Sequence, residues 1–421
     1  MLYLFWPSAK PVSFYISSSD MQFKRIFFIW ITLALLTGFT AGLTTIFVDP
    51  YGFFGLFLSD GFNQQKEGVR NKIRFVKTLE LPLRQPRTVV IGSSRVHDAM
   101  NPEHPILKEL GPAYNLGVDM NRIHETLLLL KHATENSTIK RVVIGLDFFM
   151  FNSLQRQSND FDEKITGRKI AFTDYLVPAI FSATSIRDSI RTIQISKQEP
   201  LRREFLPNGY RPQAFFSLKD YPAAHYYTNW IFLTSHPQGT RYYHEHKIDD
   251  SSFVDFESIL KLCREKNIQI RLYLSPAHAN LDGEGIRALG KWEALEEWKR
   301  RITKISDQYN VPLWDFSGYN SVTTEKVSSP MQYYWDSSHF NEKVSDWILR
   351  RIFQSDEKSI PQDFGIQLTP RNIEGHLEST RHNRERYVSE NRNEIAKLLE
   401  EYASIINGAP LDAARIQSMH Q

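Results

Sequence analysis

Two short clusters, far apart in the chain, carry residue types that together perform nucleophilic chemistry. In Arg87-Thr-Val-Val-Ile-Gly-Ser-Ser-Arg95, a β-branched apolar run ends in Gly92-Ser93-Ser94. Such a run fits a buried parallel strand, and a glycine at its carboxyl end permits a tight turn. Ligands bind outside the carboxyl ends of strands in open α/β sheets, so the Ser94 hydroxyl stands where a nucleophile acts. Much later, Tyr333-Tyr-Trp-Asp336-Ser-Ser-His339-Phe-Asn341 places a carboxylate and an imidazole three residues apart. On a loop or a first helical turn this spacing lets both side chains project together. Asp336 can then set the His339 tautomer while His339 takes a proton from a serine. Either cluster alone also reads as a simple turn. Their order makes a candidate triad, with a serine after the first strand and Asp-x-x-His after the last.

The remaining titratable residues are less suited to chemistry. His278, in Leu274-Ser-Pro-Ala-His-Ala279, follows a strand end and reads as a structural or substrate-contacting group of the cleft. His97 and His124 are nearer Ser94 in sequence but lack an adjacent acid at comparable spacing. His244-Glu245-His246 is a poor metal site without further ligands, and no zinc spacing or Gly-rich phosphate loop occurs, so neither metal nor cofactor is expected. The lone cysteine, Cys263, falls on the apolar face of a helical pattern and cannot form an internal disulfide. The 51 basic and 48 acidic residues leave a net charge of +3, which argues against nucleic acid as a partner.

The elements that must position these residues alternate. Strand patterns at residues 88–91, 113–116, 141–146, 269–274 and 311–315 are separated by helical ones, including Phe253, Phe256, Leu260 and Cys263, then Leu295, Trp298, Ile302 and Ile305. Alternation of this kind implies an α/β fold with a doubly wound parallel sheet. Residues 67–81 and 106–110 also carry helical patterns. The rhythm lapses over residues 151–250, an insertion suited to a lid or substrate-binding region. Its Tyr226, Tyr227, Trp230, Tyr242 and Tyr243 either stack on sugar rings or form the insertion's own core. Beyond about Pro361 the composition shifts, residues 372–406 are strongly charged, and residues 356–421 read as a helical C-terminal extension without chemistry.

Residues 26–48, IFFIWITLALLTGFTAGLTTIFV, carry no charge. At helical rise they extend ~35 Å, enough to cross a hydrocarbon core. Lys24 and Arg25 before them and Asp49 after place residues 1–25 in the cytoplasm and the main domain outside it, by the positive-inside rule. The expectation is a single-pass anchor in the inner or plasma membrane with a periplasmic or extracytoplasmic domain, rather than a cleavable signal peptide. Met21 reads as the initiator, because residues 1–20 differ in character from the rest of the chain. Residues 49–86 form a connector, and residues 87–355 the domain that carries the two clusters.

This arrangement resembles the SGNH (GDSL-type) hydrolase superfamily. Gly92-Ser93-Ser94 stands for its first block, with Ser94 as nucleophile; Asn115-Leu116-Gly117 for the second; and Asp336 and His339 for the last. The resemblance implies a flavodoxin-like three-layer fold and an oxyanion hole from the Ser94 and Gly117 amides, aided by Asn115 or Asn121. The third block departs from the pattern: Gly145-Leu146-Asp147-Phe148 carries an aspartate where an asparagine amide is expected. An ionised Asp147 repels an oxyanion, and helps only if protonated or if it orients another donor. Arg95 would bind an anionic group or pair with Asp147, and Ser93, Arg95, Asn121, Asp147 and His278 stand as candidate cleft contacts.

With its anchor, the chain looks like extracytoplasmic acyl-transfer proteins such as the D-alanyl transfer protein of teichoic-acid modification and the exopolysaccharide O-acetylation proteins. The implied activity is a serine esterase or O-acyltransferase acting on a surface polysaccharide or an acylated small molecule, passing the acyl group to a polymer hydroxyl or to water. A multi-span membrane O-acyltransferase is the implied partner. The alternative is a catalytically silent envelope-assembly or polysaccharide-binding protein that keeps the fold.

Overall fold

The computed structural model describes residues 18–66, 68–69, 72–163, 166–198, 206–212, 223–235, 243, 246–355 and 358–407. The reading of Met21 as initiator concerns residues that lie mostly outside these, and Tyr242, His244 and Glu245 lie outside them too.

Five strands run parallel in the order β2-β1-β3-β4-β5: β1 (Thr88–Ile91), β2 (Ala113–Asn115), β3 (Arg141–Leu146), β4 (Gln269–Leu274) and β5 (Leu313–Asp315). This is the flavodoxin-like doubly wound order, in which the crevice opens between the carboxyl ends of β1 and β3. A sixth strand, β6 (Ile366–Leu368), adds to β5 antiparallel within the stretch read from sequence as helical. Only Leu368 of β6 is buried, so no apolar alternation marks it.

Helices α1 (Ser18–Val48) and α2 (Ile73–Arg84) precede the sheet. Then come α3 (Ser94–Ala99) and α4 (Pro105–Glu109) after β1, and α5 (Ile123–Asn136) after β2. The insertion holds α6 (Phe172–Phe181), α7 (Ala183–Gln198) and α8 (Ala223–Ser235), followed by α9 (Asp250–Glu265). The chain continues with α10 (Trp292–Gln308) after β4, α11 (Glu342–Ile352) after β5, and α12 (Ile373–Glu390) and α13 (Arg392–Ile406) after β6.

Helices cover both faces of the sheet, because alternate strand residues feed two cores. Val89, Ile91, Val142, Ile144, Ile270 and Leu272 pack with Leu127 and Leu130 of α5, Phe256 and Leu260 of α9 and Trp298 and Ile302 of α10. Val90, Val143 and Tyr273, one residue out of phase, pack with Val96 of α3, Trp230 of α8 and Val344 and Ile348 of α11. Tyr226, Tyr227, Trp230 and Tyr243 are buried. These four aromatics therefore belong to the core and present no ring to a sugar. Cys263 is buried on α9.

The charged C-terminal helix α12 buries Ile373 and Leu377 in the core and adds polar contacts to the domain. Arg381 pairs with Glu296 at 2.6 Å, Arg384 with Glu284 at 2.8 Å, and Tyr387 donates to Asn280 Oδ1 at 2.9 Å. At the other end, Met21–Val48 is long and apolar enough to cross a membrane, with mean hydropathy 2.0 and almost all of its surface uncovered by the rest of the protein.

Candidate active site

β1 ends at Ile91, and Gly92 occupies a point where no side chain fits. A Cβ there would stand 2.3 Å from Val96 Cγ2 and 3.0 Å from the Gly145 carbonyl oxygen. Glycine lets the chain turn this close to β3. Ser93 then caps α3, its Oγ accepting from Arg95 N at 3.3 Å, and Ser94 becomes the first residue of the helix, partly exposed at the crevice.

The facing loop is a tight hairpin. Tyr334 and Phe340 form an antiparallel bridge, Trp335 N donates to His339 O at 2.8 Å, and Asn341 N donates to Tyr333 O at 2.9 Å. Tyr334 Oη ties the hairpin to the Pro276 carbonyl at 3.0 Å, and Asn341 caps α11 by accepting from Lys343 N and Val344 N. Within the loop Asp336 Oδ1 accepts from Ser338 N at 2.7 Å and His339 N at 2.8 Å, so the carboxylate is fixed by its own backbone.

These two pieces bring the sequence-derived candidates together. His339 Nδ1 lies 2.8 Å from Asp336 Oδ2, and His339 Nε2 lies 2.8 Å from Ser94 Oγ. Burial works against the imidazolium, but the Asp336 charge and hydrogen bond outweigh it and raise His339 to about 8. Asp98, on α3, is pushed up to about 6 by burial although Arg211 stands 3.3 Å away.

Beneath Ser94 lies a second layer. Arg95 is 2% exposed; its Nη1 donates to Asp147 Oδ1 at 2.6 Å, its Nε to Ser338 Oγ at 3.1 Å, and its Nη2 lies 3.3 Å from Asp282 Oδ1. Ser93 Oγ donates to Asp147 Oδ2 at 2.5 Å. Asp147, after β3, thus clamps both neighbours of the nucleophile from below. Arg95 is shared by two carboxylates, and burial raises the pKa of Asp282 against its pull.

Several expected contacts are corrected by this geometry. Of the two roles expected of Arg95, the geometry has the pairing with Asp147. Ser93 and Asn121 are buried, and the buried Asp147 borders, with Arg95, Ser275, Asp282 and Lys299, a small cavity beneath the site. Asn115 donates both amide protons inward, to Val96 O at 2.9 Å and Met100 O at 2.8 Å, while its Oδ1 accepts from Gly117 N at 2.8 Å. Neither Asn115 nor the Gly117 amide therefore points a free donor at Ser94. Asn121 spends its amide on Gly92 O at 3.1 Å and Thr126 Oγ1 at 2.9 Å. His278 is wholly buried; its Nε2 donates to Glu325 O and its Nδ1 accepts from Tyr226 Oη, both at 2.6 Å, and burial lowers it to about 4. It is structural.

His97 and His124 do have acids beside them, brought by the fold: Asp119 stands 3.3 Å from His97, and Asp255 stands 3.0 Å from His124. Among the described residues no group of His, Cys, Asp and Glu is arranged to hold a metal ion.

Three residues around the site escaped sequence reasoning. Asp282 sits in a π-helical turn, Asn280–Gly285, and Arg211 in the irregular insertion, where no periodicity signals a role. Lys77 of α2 donates to the Gly117 carbonyl at 2.5 Å, and burial pushes its pKa down to about 7. A lysine in an amphipathic helix ordinarily reads as solvent-facing, so nothing in the sequence sets it apart. A cavity of about 240 Å³ lies against the connector, lined by Tyr51, Phe57, Lys66, Glu80 and Leu206, and no triad residue borders it.

No protein-family model matches the chain, and no curated protein matches it. Among solved structures, a crystal structure named as that of a "putative acylhydrolase" from Bacteroides fragilis is similar to this chain at 12% identity and a TM-score of 0.33, over 66% of this chain and 91% of that one. A likeness at that level carries no argument about what the chain does.

Proposed function

We propose that this is a membrane-anchored, extracytoplasmic serine esterase or O-acyltransferase of the SGNH type, acting on an acyl ester of a surface or exported polysaccharide. The observation that carries the reading is the unbroken line from Ser94 Oγ to His339 Nε2 (2.8 Å) and from His339 Nδ1 to Asp336 Oδ2 (2.8 Å) at the crevice of the sheet.

With its proton on Nδ1, held by Asp336, neutral His339 accepts the Ser94 hydroxyl proton at Nε2 as Oγ attacks the acyl carbonyl. The bond to the departing alkoxide breaks, the alkoxide takes the Nε2 proton, and Ser94 is left as an acyl ester. A hydroxyl of the acceptor, or water, then gives its proton to Nε2 and attacks that ester; the acyl C–Oγ bond breaks, Oγ takes the Nε2 proton, and Ser94 is restored. The developing oxyanion would be met by the Ser94 amide at the first turn of α3, which has no acceptor among the described residues. The anchor in α1 and the basic pair Lys24 and Arg25 before it support a domain held outside the cytoplasm, where a multi-span O-acyltransferase could supply the acyl group.

A second reading, a silent assembly or polysaccharide-binding protein, is favoured by one observation: the Gly117 amide is occupied by Asn115 Oδ1 at 2.8 Å. Fluorophosphonate labelling of the solubilised full-length chain separates the two. The first reading expects an adduct that disappears in Ser94→Ala; an unlabelled wild-type chain, with the same melting behaviour as the variant, leaves the second.

A further inference from the structure

The first two helices of the insertion have the wrong polarity for a water-facing surface. In α7, Ser185, Ser189, Thr192 and Ser196 are buried against the protein, while Ile186 and Ile190 face out, 36% and 54% exposed. A helix docked on a soluble domain buries its isoleucines and exposes its serines. The inner contacts are polar and specific: Asp188 accepts from Tyr51 Oη at 2.7 Å and Lys72 Nζ at 2.6 Å, and Gln64 donates to the Ser196 carbonyl at 2.6 Å. The outer face adds Arg187, Arg191 and Lys197 beside Ile186 and Ile190, while Ile193 and Ile195 are half-buried.

Helix α6, which precedes it, is mostly apolar, and its Val177 and Phe181 are 52% and 54% exposed. It packs on the last turns of α1 at Gly42, where a Cβ would come within 2.4 Å of the Phe181 ring. Only a glycine at position 42 lets the two helices approach this closely. Near the end of α1, Phe57 of the connector lies 6.3 Å from Phe47, ring to ring, and Leu56 is 59% exposed. Exposed apolar side chains thus extend from α1 onto Val177 and Phe181 of α6, Ile186 and Ile190 of α7 and residues 56–58, with Arg187, Arg191 and Lys197 interleaved on α7.

We propose that α6 and α7, with residues 56–58, are a second membrane contact, whose occupant is the lipid bilayer itself. Helix α6, with 10 residues spanning ~15 Å, enters the outer half of the hydrocarbon beside α1. Helix α7 lies along the headgroup layer with Ile186 and Ile190 among the acyl chains and Arg187 and Lys197 among the phosphates. The domain is then seated on the membrane in one orientation instead of swinging on a single tether. This inference rests on the reading of α1 as a membrane anchor.

The test uses the full-length chain in phospholipid nanodiscs, with an environment-sensitive fluorophore on single introduced cysteines. The native Cys263 is buried and its thiol pushed up to about 12, so it stays silent in the folded protein. Leu35→Cys on α1 reports the anchor, Val177→Cys and Ile190→Cys report the proposed contact, and Val254→Cys on α9 is an exposed apolar control. Brominated phospholipids should quench the first three by about half or more and leave Val254→Cys unchanged. Quenching of Leu35→Cys alone overturns the second contact while leaving the anchor; no quenching even at Leu35→Cys overturns the anchor, and this inference with it. Because all four positions are solvent- or lipid-exposed, equal melting temperatures of the variants show that quenching reports location and not unfolding.

Discussion

Around Ser94 the hydrogen bonds of a serine, a histidine and an aspartate run in a line; around Asp315 those of the same three residue types converge on the carboxylate. At Asp315 the buried side chain receives Lys299 Nζ at 2.7 Å, His376 Nε2 at 2.8 Å and Ser317 Oγ at 2.7 Å, and Lys299 also donates to Ser317 Oγ at 2.7 Å. Burial alone would raise the Asp315 pKa, yet Lys299 and His376 hold it well below the usual carboxylate range. The hydroxyl of Ser317 faces an ammonium and a carboxylate whose pKa is held too low for it to take the proton. At the crevice, by contrast, Asp336 accepts from the imidazole and backbone of its own loop, and the far nitrogen meets a partly exposed hydroxyl. A lysine at the centre makes one cluster a clamp between β5, α10 and α12. Its absence from the other leaves a proton path. Proximity of Ser, His and Asp is therefore insufficient; connectivity decides.

The largest expected effect tests that distinction directly. Ser94→Ala should lower ester turnover by about 10⁴-fold or more with unchanged melting, whereas Ser317→Ala should leave turnover intact. Loss of turnover in the second variant would reverse the assignment. Next in size, Lys299→Met strands the buried Asp315 charge and should lower the unfolding free energy by about 3–5 kcal/mol in denaturant titrations. The rate of fluorophosphonate labelling of its folded fraction should match wild type; a slowed rate would couple the two clusters.

Asp147→Asn places the amide of the family's third block under Ser94. Since Arg95 and Ser93 already hold that side chain, the variant should lose about tenfold in kcat through a displaced elbow. A faster variant would instead make position 147 an oxyanion donor. The fourth prediction concerns pH. His339 must be neutral to accept the Ser94 proton, and its pKa is raised to about 8, so kcat/KM should climb as pH rises through about 8. In Asp336→Asn the raising charge is lost while burial remains, so the residual activity should have its acid limb moved to lower pH. Smallest, His376→Gln removes one of several partners of Asp315 and should cost about 1 kcal/mol without moving the pH profile.

Much of the frame was readable beforehand, because the strands from β1 to β5 are β-branched or apolar runs and their helices keep a 3.6-residue period. Ser94, Asp336 and His339 were readable for a related reason: each sits at a strand end or in a short motif whose chemistry depends on local spacing. What escaped was decided by polar contacts between distant segments. The β6 strand rests on backbone pairing with β5 and carries a single buried residue, while the seating of α12 adds ion pairs with Glu296 and Glu284 to its buried Ile373 and Leu377. The inversion of α7 escaped as well, since an alternation of isoleucine with serine says only that two faces differ.

By itself, then, the amino-acid sequence determined the parallel α/β frame, the apolar span of α1 and the placement of an acid and base three residues apart. Those features depend on periodicity and short-range geometry, which a linear chain carries in full. Only the tertiary structure decided that His339 meets Ser94, that Asp147 turns inward to Arg95 and Ser93, and that Asn115 consumes the Gly117 amide. Each of these is a choice among several polar partners of similar strength. It is settled by which groups the packing of β1 against β2 and β3 brings within hydrogen-bond reach and shields from water.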